Sequence, residues 1–383
     1  MRIAFVTLEY PPRLIGGAGV YAGELCAALG ALGHDITVFA PQSPGDGEFM
    51  STKGVTFRPI PVSSSLPQAP QFWVRVRKAM REEGSFDIIH LNSAVYWFIA
   101  RTRLADCPQV MTLHHSVVGM AKRNNVPWYG RLKDLGGENS PLLPIIERSC
   151  VMRSDGLIAV SRFAAQQALL TYPGAKGRMT VIPSGRGVPL PPPSLTLAEV
   201  RKKYSLSGSR IVLFVGRVDD SRKGLDILIK AFAAASLPSA SLLIVGKGDP
   251  TKYRAIAHEL GVEDRTSFTG YVDDGVLSSI YQAADIVVVP SRLEGYGYTA
   301  VEPMLLGKPV LASAAGALPE IVPEPGLFSP EDHVRLASML NEVLSCDDSL
   351  AKLSQLSIES ASNTITYEEV ARRTITVYAE MLE

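Results

Sequence analysis

Twice along this chain, short apolar runs rich in β-branched residues alternate with segments of helical period, and a proline-rich stretch divides the two rounds. Such alternation calls for parallel sheets, because each parallel strand is regained only through a crossover long enough to hold a helix. The first round has strand-like runs at Ile3 to Leu8, Ile36 to Ala40, Phe86 to Leu91, Val110 to Leu113, Leu157 to Val160 and Thr180 to Ile182. The second has them at Ile211 to Val215, Leu242 to Val245, Thr266 to Phe268, Ile286 to Val289 and Pro309 to Ala312. Helical period intervenes, as where Tyr21, Leu25, Leu29 and Leu32 would share a face. The divider, RGVPLPPPSL at 186–195, has the proline content of a semi-rigid linker. A chain of 383 residues also exceeds what one core usually holds. The expectation is an α/β protein of two doubly wound parallel-sheet domains facing a central cleft, 1–185 and 197–365, with a linker at 186–196 and a last helix at 366–383.

Composition narrows the class. With 46% hydrophobic and 20% charged residues the chain reads as an ordinary globular protein. Cys26, Cys107, Cys150 and Cys346 show no metal-ligand or redox spacing, so they are expected to be buried thiols in a reducing compartment. Neither a leader nor a long apolar span is evident, so a cytoplasmic protein is expected, at most peripheral at the inner membrane face. Charge is uneven: residues 1–185 carry 19 Lys and Arg against 13 Asp and Glu, and residues 186–383 carry 19 against 25. The segment 72–82, FWVRVRKAMRE, interleaves apolar and basic residues and suits weak contact with an anionic membrane through the N-terminal domain. The commoner reading is a surface helix with its apolar face on the core. Nothing calls for a nucleic-acid partner.

The chemistry concentrates at 286–302, IVVVPSRLEGYGYTAVE. A buried-looking strand ends at Pro290, Gly295 and Gly297 allow a sharp turn, and a helix resumes near Tyr298. A helix amino terminus at the carboxyl end of a parallel strand favours an anion such as a diphosphate. Glu294 and Glu302 would be repelled by phosphate, so they suit sugar and ribose hydroxyls instead. The plain alternative is one loop glutamate and one solvated helix glutamate. Upstream, the strand at Ile211 to Val215 runs into a loop with Gly216, Arg217, Arg222, Lys223 and Gly224, before a helix with Leu225, Leu228, Ile229 and Phe232 on one face. In a doubly wound sheet that loop leaves from the same edge as the Glu294 turn, where Arg217 and Lys223 would supply counter-charge. In the first round Gly16, Gly17 and Gly19 follow a strand, and His114 ends another.

Together these segments resemble the retaining glycosyltransferases of family 4, the glycosyl transferases group 1, which have the GT-B fold of two Rossmann-like domains. The landmarks, in order, are EYPPRLIGGAGVYAGEL, TLHHS, AVSRF, VIPSG, FVGRVDDSRKGLDILIKAF, LLIVGKGD, FTGYVDDG, the Glu294 to Glu302 motif, GKPVLAS and ALPEIV. The resemblance implies that the first domain binds the acceptor and the second the nucleotide sugar, with the last helix returning to the first. It implies that Arg217 and Lys223 neutralise the diphosphate with help from Arg222, and that Gly16, Gly17 and Gly216 approach the donor. Glu294 would lie by the donor sugar, Glu302 would hold the ribose, and the backbone of Tyr271 and Val272 would read the base. The amides of Tyr298 and Thr299 would cap the phosphate, His114 would lie by the anomeric carbon and His115 behind it. Leu14 and Ile15 stand where starch and glycogen synthases carry a lysine just before the glycine pair, and Ser184 and Arg186 depart from the usual Asn-Gly-Val-Asp run.

The activity so implied is transfer of a hexosyl group from a UDP- or GDP-sugar to an acceptor hydroxyl, with retention, in glycan, glycolipid or glycoconjugate biosynthesis. No Asp-x-Asp pair occurs. No cofactor and no metal are therefore expected, cationic side chains taking the metal's place. A phosphorylase or synthase, a nucleotide-sugar epimerase or hydrolase, and a non-catalytic nucleotide-sugar sensor share the scaffold. Base, sugar, acceptor and oligomeric state are not written in the chain.

Overall fold

The computed structural model describes residues 1–12, 16–42, 52–63, 68–92, 106–115, 143–187 and 189–383. The chain divides into two compact units, Met1–Gly187 with Ile365–Glu383, and Val188–Thr364.

The first unit is built on β1 (Arg2–Val6), β2 (Asp35–Gln42), β3 (Val55–Pro61), β4 (Ile88–Leu91), β5 (Gln109–Leu113), β6 (Gly156–Ala159) and β7 (Met179–Val181). They form one sheet in the order β3-β2-β1-β4-β5-β6-β7, all pairs parallel. Covered on both faces, the central strands are apolar without alternation: Ile3, Ala4, Phe5 and Val6 are all fully buried. The order reverses between β1 and β4, and in open α/β sheets the carboxyl ends of the strands at such a reversal are where ligands collect. The helix Gly17–Ala31 follows β1 and buries Tyr21, Leu25 and Leu29.

The helix Gln68–Glu83 includes the segment 72–82 and agrees with the commoner of its two readings, a surface helix with its apolar face on the core. Phe72, Trp73, Val76 and Met80 are buried in the core beside Phe39, Ile89 and Leu91, so most of the apolar face is covered, and Val74 is exposed among the basic side chains. Among the described residues no helix is long and apolar enough to cross a membrane.

The second unit has β8 (Arg210–Val215), β9 (Ala240–Val245), β10 (Thr266–Gly270), β11 (Ile286–Val289), β12 (Val310–Ser313) and β13 (Leu327–Phe328). The order is β10-β9-β8-β11-β12-β13, again all parallel, and it reverses between β8 and β11. In the helix Leu225–Ala234, Leu225, Leu228, Ile229 and Phe232 are all fully buried. Burying each such side chain contributes about 1.5–3 kcal/mol, and this face fixes the helix beneath the sheet edge.

The proline-rich divider is shared out between the units. The Arg186 amide donates to the Ile365 carbonyl at 2.9 Å, tying the departing chain to the returning one. Ser194 and Leu195 donate their amides to the Gly275 carbonyl and the Ser279 hydroxyl, which fastens that end to the helix Asp274–Ala283. The returning helix Tyr367–Leu382 packs on Gly17–Ala31, with the Tyr21 and Tyr367 rings 6.1 Å apart. Of the cysteines, Cys26 and Cys150 are buried, but Cys107 is half-buried and Cys346 exposed, a correction to the expected burial: Cys346 sits before a solvent-facing helix start, where nothing covers it.

Candidate functional site

In the second unit the reversal of strand order brings together the loops after β8 and β11. Val215 leads into Gly216 and Arg217, and after Asp220 a short turn, Ser221–Lys223, ends at Gly224. Gly224 sits at φ +64°, and a Cβ there would lie 2.0 Å from the Pro290 carbonyl oxygen, so only glycine lets these two loops touch. The Arg292 amide then donates to the Arg222 carbonyl at 2.7 Å. Arg292 reinforces the junction with paired hydrogen bonds to Asp226, both 2.8 Å, and an ion pair with Glu331. Burial opposes the ionised Asp226, but the hydrogen bonds and charge of Arg292 win and hold its carboxyl below the usual range.

Across this junction the Lys223 Nζ meets the Glu294 Oε2 at 2.8 Å, with the two side chains only 22% and 14% exposed. The Ser291 hydroxyl donates to the same oxygen at 3.3 Å. Behind Glu294, Gly316 lies at φ +62° and would drive a Cβ to 2.0 Å from the Glu294 carbonyl oxygen, which instead accepts from the Ala317 amide at 2.9 Å. The two residues that the sequence placed on one edge are therefore in direct contact.

The other candidates of this unit lie on the loops after β8 and β10 and in the helix that follows β11. Arg217 is exposed and leans on Asp219 and Asp220 at 3.6 and 3.8 Å. Arg222 grips Asp220 with two nitrogens, at 3.0 and 2.8 Å, so its guanidinium is committed to a buried carboxylate, which weakens the expectation that it helps the diphosphate. The helix Tyr298–Leu305 starts at Gly297 without a side-chain cap, and its first internal amide donor is Ala300, which leaves the Tyr298 and Thr299 amides ahead of the helical ladder. Glu302, half-buried one turn in, accepts from the buried Tyr281 hydroxyl at 3.0 Å. Burial raises the Glu302 carboxyl to about 7, with the Tyr281 hydrogen bond opposing that rise and Asp274 adding to it. At the carboxyl end of β10 Tyr271 is 68% exposed under the Lys247 ammonium, 4.5 Å from the ring centre, with Val272 half-buried beside it. Sequence reasoning missed Asp220, Asp226, Ser291 and Arg292; the adjacent acidic pair in VDDS was a local signal for Asp220 alone.

The first unit has its own reversal between β1 and β4. Gly16 and Gly17 are exposed at the start of Gly17–Ala31, and the Gly16 amide donates to the Glu9 Oε2 at 2.8 Å, so a carboxylate from the same loop holds the amide expected to meet a donor. Leu14 and Ile15 lie outside the described residues. His114 follows β5, with its Nε2 2.8 Å from the Asn92 Oδ1 and its ring edge-on to Tyr21 at 5.1 Å. Burial, then the charge of His115, lowers its pKa to about 3, so the ring is neutral near pH 7. Behind it Thr112 joins His90 at 2.7 Å and Tyr21 at 3.4 Å, and His90 reaches the Tyr378 hydroxyl of the last helix. Among the described residues no group of three or more His, Cys, Asp or Glu is placed to hold a metal ion.

Comparison with known proteins agrees with both units. The family described as Glycosyltransferase Family 4 matches residues 15–186, and that described as Glycosyl transferases group 1 matches 198–359. The chain is 30% identical to a D-inositol 3-phosphate glycosyltransferase of Xylanimonas cellulosilytica, over 95% of this chain and 92% of that one. Its fold is similar to the sucrose-phosphate synthase from Thermosynechococcus elongatus, with TM-score 0.80 and 24% identity over 99% and 98% of the two chains. It is similar also to Anabaena HepE in complex with UDP-glucose, with TM-score 0.77 and 20% identity over 99% and 100%.

Proposed function

Because this chain belongs to the family 4 glycosyltransferases, with two parallel-sheet α/β units of the GT-B type, we propose that it moves a hexosyl group from a UDP- or GDP-sugar to an acceptor hydroxyl with the anomeric configuration retained. The observation that carries this reading is the Lys223–Glu294 contact at the reversal of strand order, which sets a cation and a carboxylate side by side. Breaking the bond from sugar to phosphate builds negative charge on the diphosphate. Lys223, Arg217 and the Tyr298 and Thr299 amides stabilise that charge in this reading, with no metal required. Glu302 accepts from the ribose, Tyr271 and Val272 border the base, and Glu294 takes the sugar hydroxyls once donor phosphate has drawn Lys223 away. His114, neutral and held by Asn92, lies by the anomeric carbon. The setting proposed is glycan or glycolipid biosynthesis in the cytoplasm.

The test uses UDP-glucose and GDP-mannose as donors and D-inositol 3-phosphate, named for one relative, as the first acceptor. With the donor that turns over, EDTA leaves the rate within about twofold, a barrier change under roughly 0.5 kcal/mol. Proton spectra of fresh product show the α anomer from an α-linked donor. A β product, or activity lost to chelation and restored by manganese, overturns the mechanism.

A further inference from the structure

We propose that Asn92 is a positioning residue for transfer, locking His114 in one orientation and one tautomer, with the ring proton on Nε2 and the Nδ1 lone pair kept as an acceptor. The proposal rests on the reading that His114 meets the donor.

The hydrogen-bond pattern around Asn92 has only one consistent direction. Its Nδ2 lies 2.9 Å from the Ala18 carbonyl oxygen and 3.1 Å from the Thr7 Oγ1. A backbone carbonyl only accepts, so the amide nitrogen faces Ala18 and the amide oxygen faces His114. The Thr7 hydroxyl spends its own proton on the Glu9 carbonyl at 2.8 Å, so it accepts from Asn92. An amide oxygen also only accepts, and the 2.8 Å contact to His114 therefore requires a proton on Nε2.

The anchor is rigid as well as directional. Asn92 is 1% exposed, and its own amide donates to the Val6 carbonyl at 2.9 Å, so the end of β4 is tied to the end of β1 beneath the ring. Tyr21 closes one side of the imidazole. Among the described residues the titratable groups around His114 are His115 next to it, Tyr21 against it and His90 beyond Thr112; the Glu9 carboxylate is engaged with the Gly16 amide. Among the described residues no carboxylate pairs with His114, and no hydrogen bond reaches its Nδ1, so the ring stays neutral and, with its proton on Nε2, keeps the Nδ1 lone pair as an acceptor. A neutral amide in this position suits a neutral ring, whereas a carboxylate would charge it.

Protein labelled with 15N-histidine reports the tautomer directly, with His114→Gln assigning the signals. The wild type is expected to show the neutral Nε2–H form from pH 5 to 8. Finding the proton on Nδ1 overturns the proposal without any variant. Asn92→Asp should raise the His114 pKa by about one to three units, and Asn92→Ala should give a mixture of tautomers. With UDP-glucose and GDP-mannose as probes, Asn92→Ala should lower kcat roughly 10- to 100-fold, with donor KM within about threefold. A single unchanged tautomer in Asn92→Ala sinks the proposal. A scrambled tautomer with unchanged kcat removes His114 from the reaction, and the proposed role in transfer falls with it.

Discussion

Lys223 and Glu294 neutralise each other at 2.8 Å, so a donor diphosphate has to compete with Glu294 for the lysine. That competition separates the two residues experimentally. Lys223→Ala should weaken binding of free UDP or GDP by about 1.5–3 kcal/mol, the worth of a hydrogen bond to a charged group. Glu294→Ala should tighten binding of the free nucleotide, because the lysine no longer has a local partner, and yet lower turnover of the intact donor. Calorimetry with the nucleotide alone decides it: weaker binding in Glu294→Ala would refute the competition. Glu302 supplies a pH signature. Its carboxyl is raised from 4.5 to about 7 in the fold, so between those values the folded state keeps a proton that the unfolded chain has lost. Its contribution to stability is thus full below about pH 4.5 and is lost as pH rises through 7. Ribose hydroxyls need the ionised carboxylate, so nucleotide affinity should increase as pH rises through 7. Glu302→Gln should flatten both trends, and thermal melts with and without UDP or GDP from pH 5 to 8 measure them together.

Among the elements, the turn from Lys223 into the helix Leu225–Ala234 matters most to the site. An alanine at Gly224 would occupy left-handed backbone, at about 1–2 kcal/mol for an L-residue, and its Cβ would press on the Pro290 oxygen. Gly224→Ala should therefore lower stability by more than that backbone cost and also weaken nucleotide binding, as the loops after β8 and β11 part. Urea melts beside calorimetry test it, and unchanged values in both would show that the loops can separate harmlessly. Such junctions mark the limit of what the sequence discloses. Central strands such as Ile286–Val289 were legible because burial on both faces demands continuous apolar runs. The edge strand Val55–Pro61 was not: it carries Arg58, Pro59 and Pro61, which only an edge tolerates. Leu327–Phe328, at the other sheet's edge, is too short to have a pattern. At the site, the glycines and cations flanking helix starts were visible from local spacing. Asn92 was not, since an asparagine after a strand reads as an ordinary turn, and its meaning comes from Thr7, 85 residues away.

The whole molecule is made from one continuous and one interrupted unit. Val188–Thr364 is a single stretch, whereas Met1–Gly187 is completed only when Ile365–Glu383 returns. The returning helix buries Val370, Ala371, Val377 and Tyr378, and it carries the tyrosine hydroxyl that meets His90 in the core. Each large apolar side chain so buried contributes about 1.5–3 kcal/mol, against a total stability of about 5–15 kcal/mol for a typical domain. A chain ending at Thr364 should consequently lose cooperative unfolding of its first unit and keep that of the second. Lys223, Glu294, Glu302, Tyr271 and the start of Tyr298–Leu305 all lie within the continuous stretch, which also has its own buried core. Residues 188–364 expressed alone should therefore fold and bind UDP or GDP within about threefold of the full chain, a difference of roughly 0.7 kcal/mol. Circular dichroism melts and calorimetry on the isolated piece measure this. Nucleotide affinity more than about tenfold weaker, a loss beyond roughly 1.4 kcal/mol, would mean that groups outside 188–364 hold the nucleotide, and the assignment of the donor to the second unit would have to be abandoned.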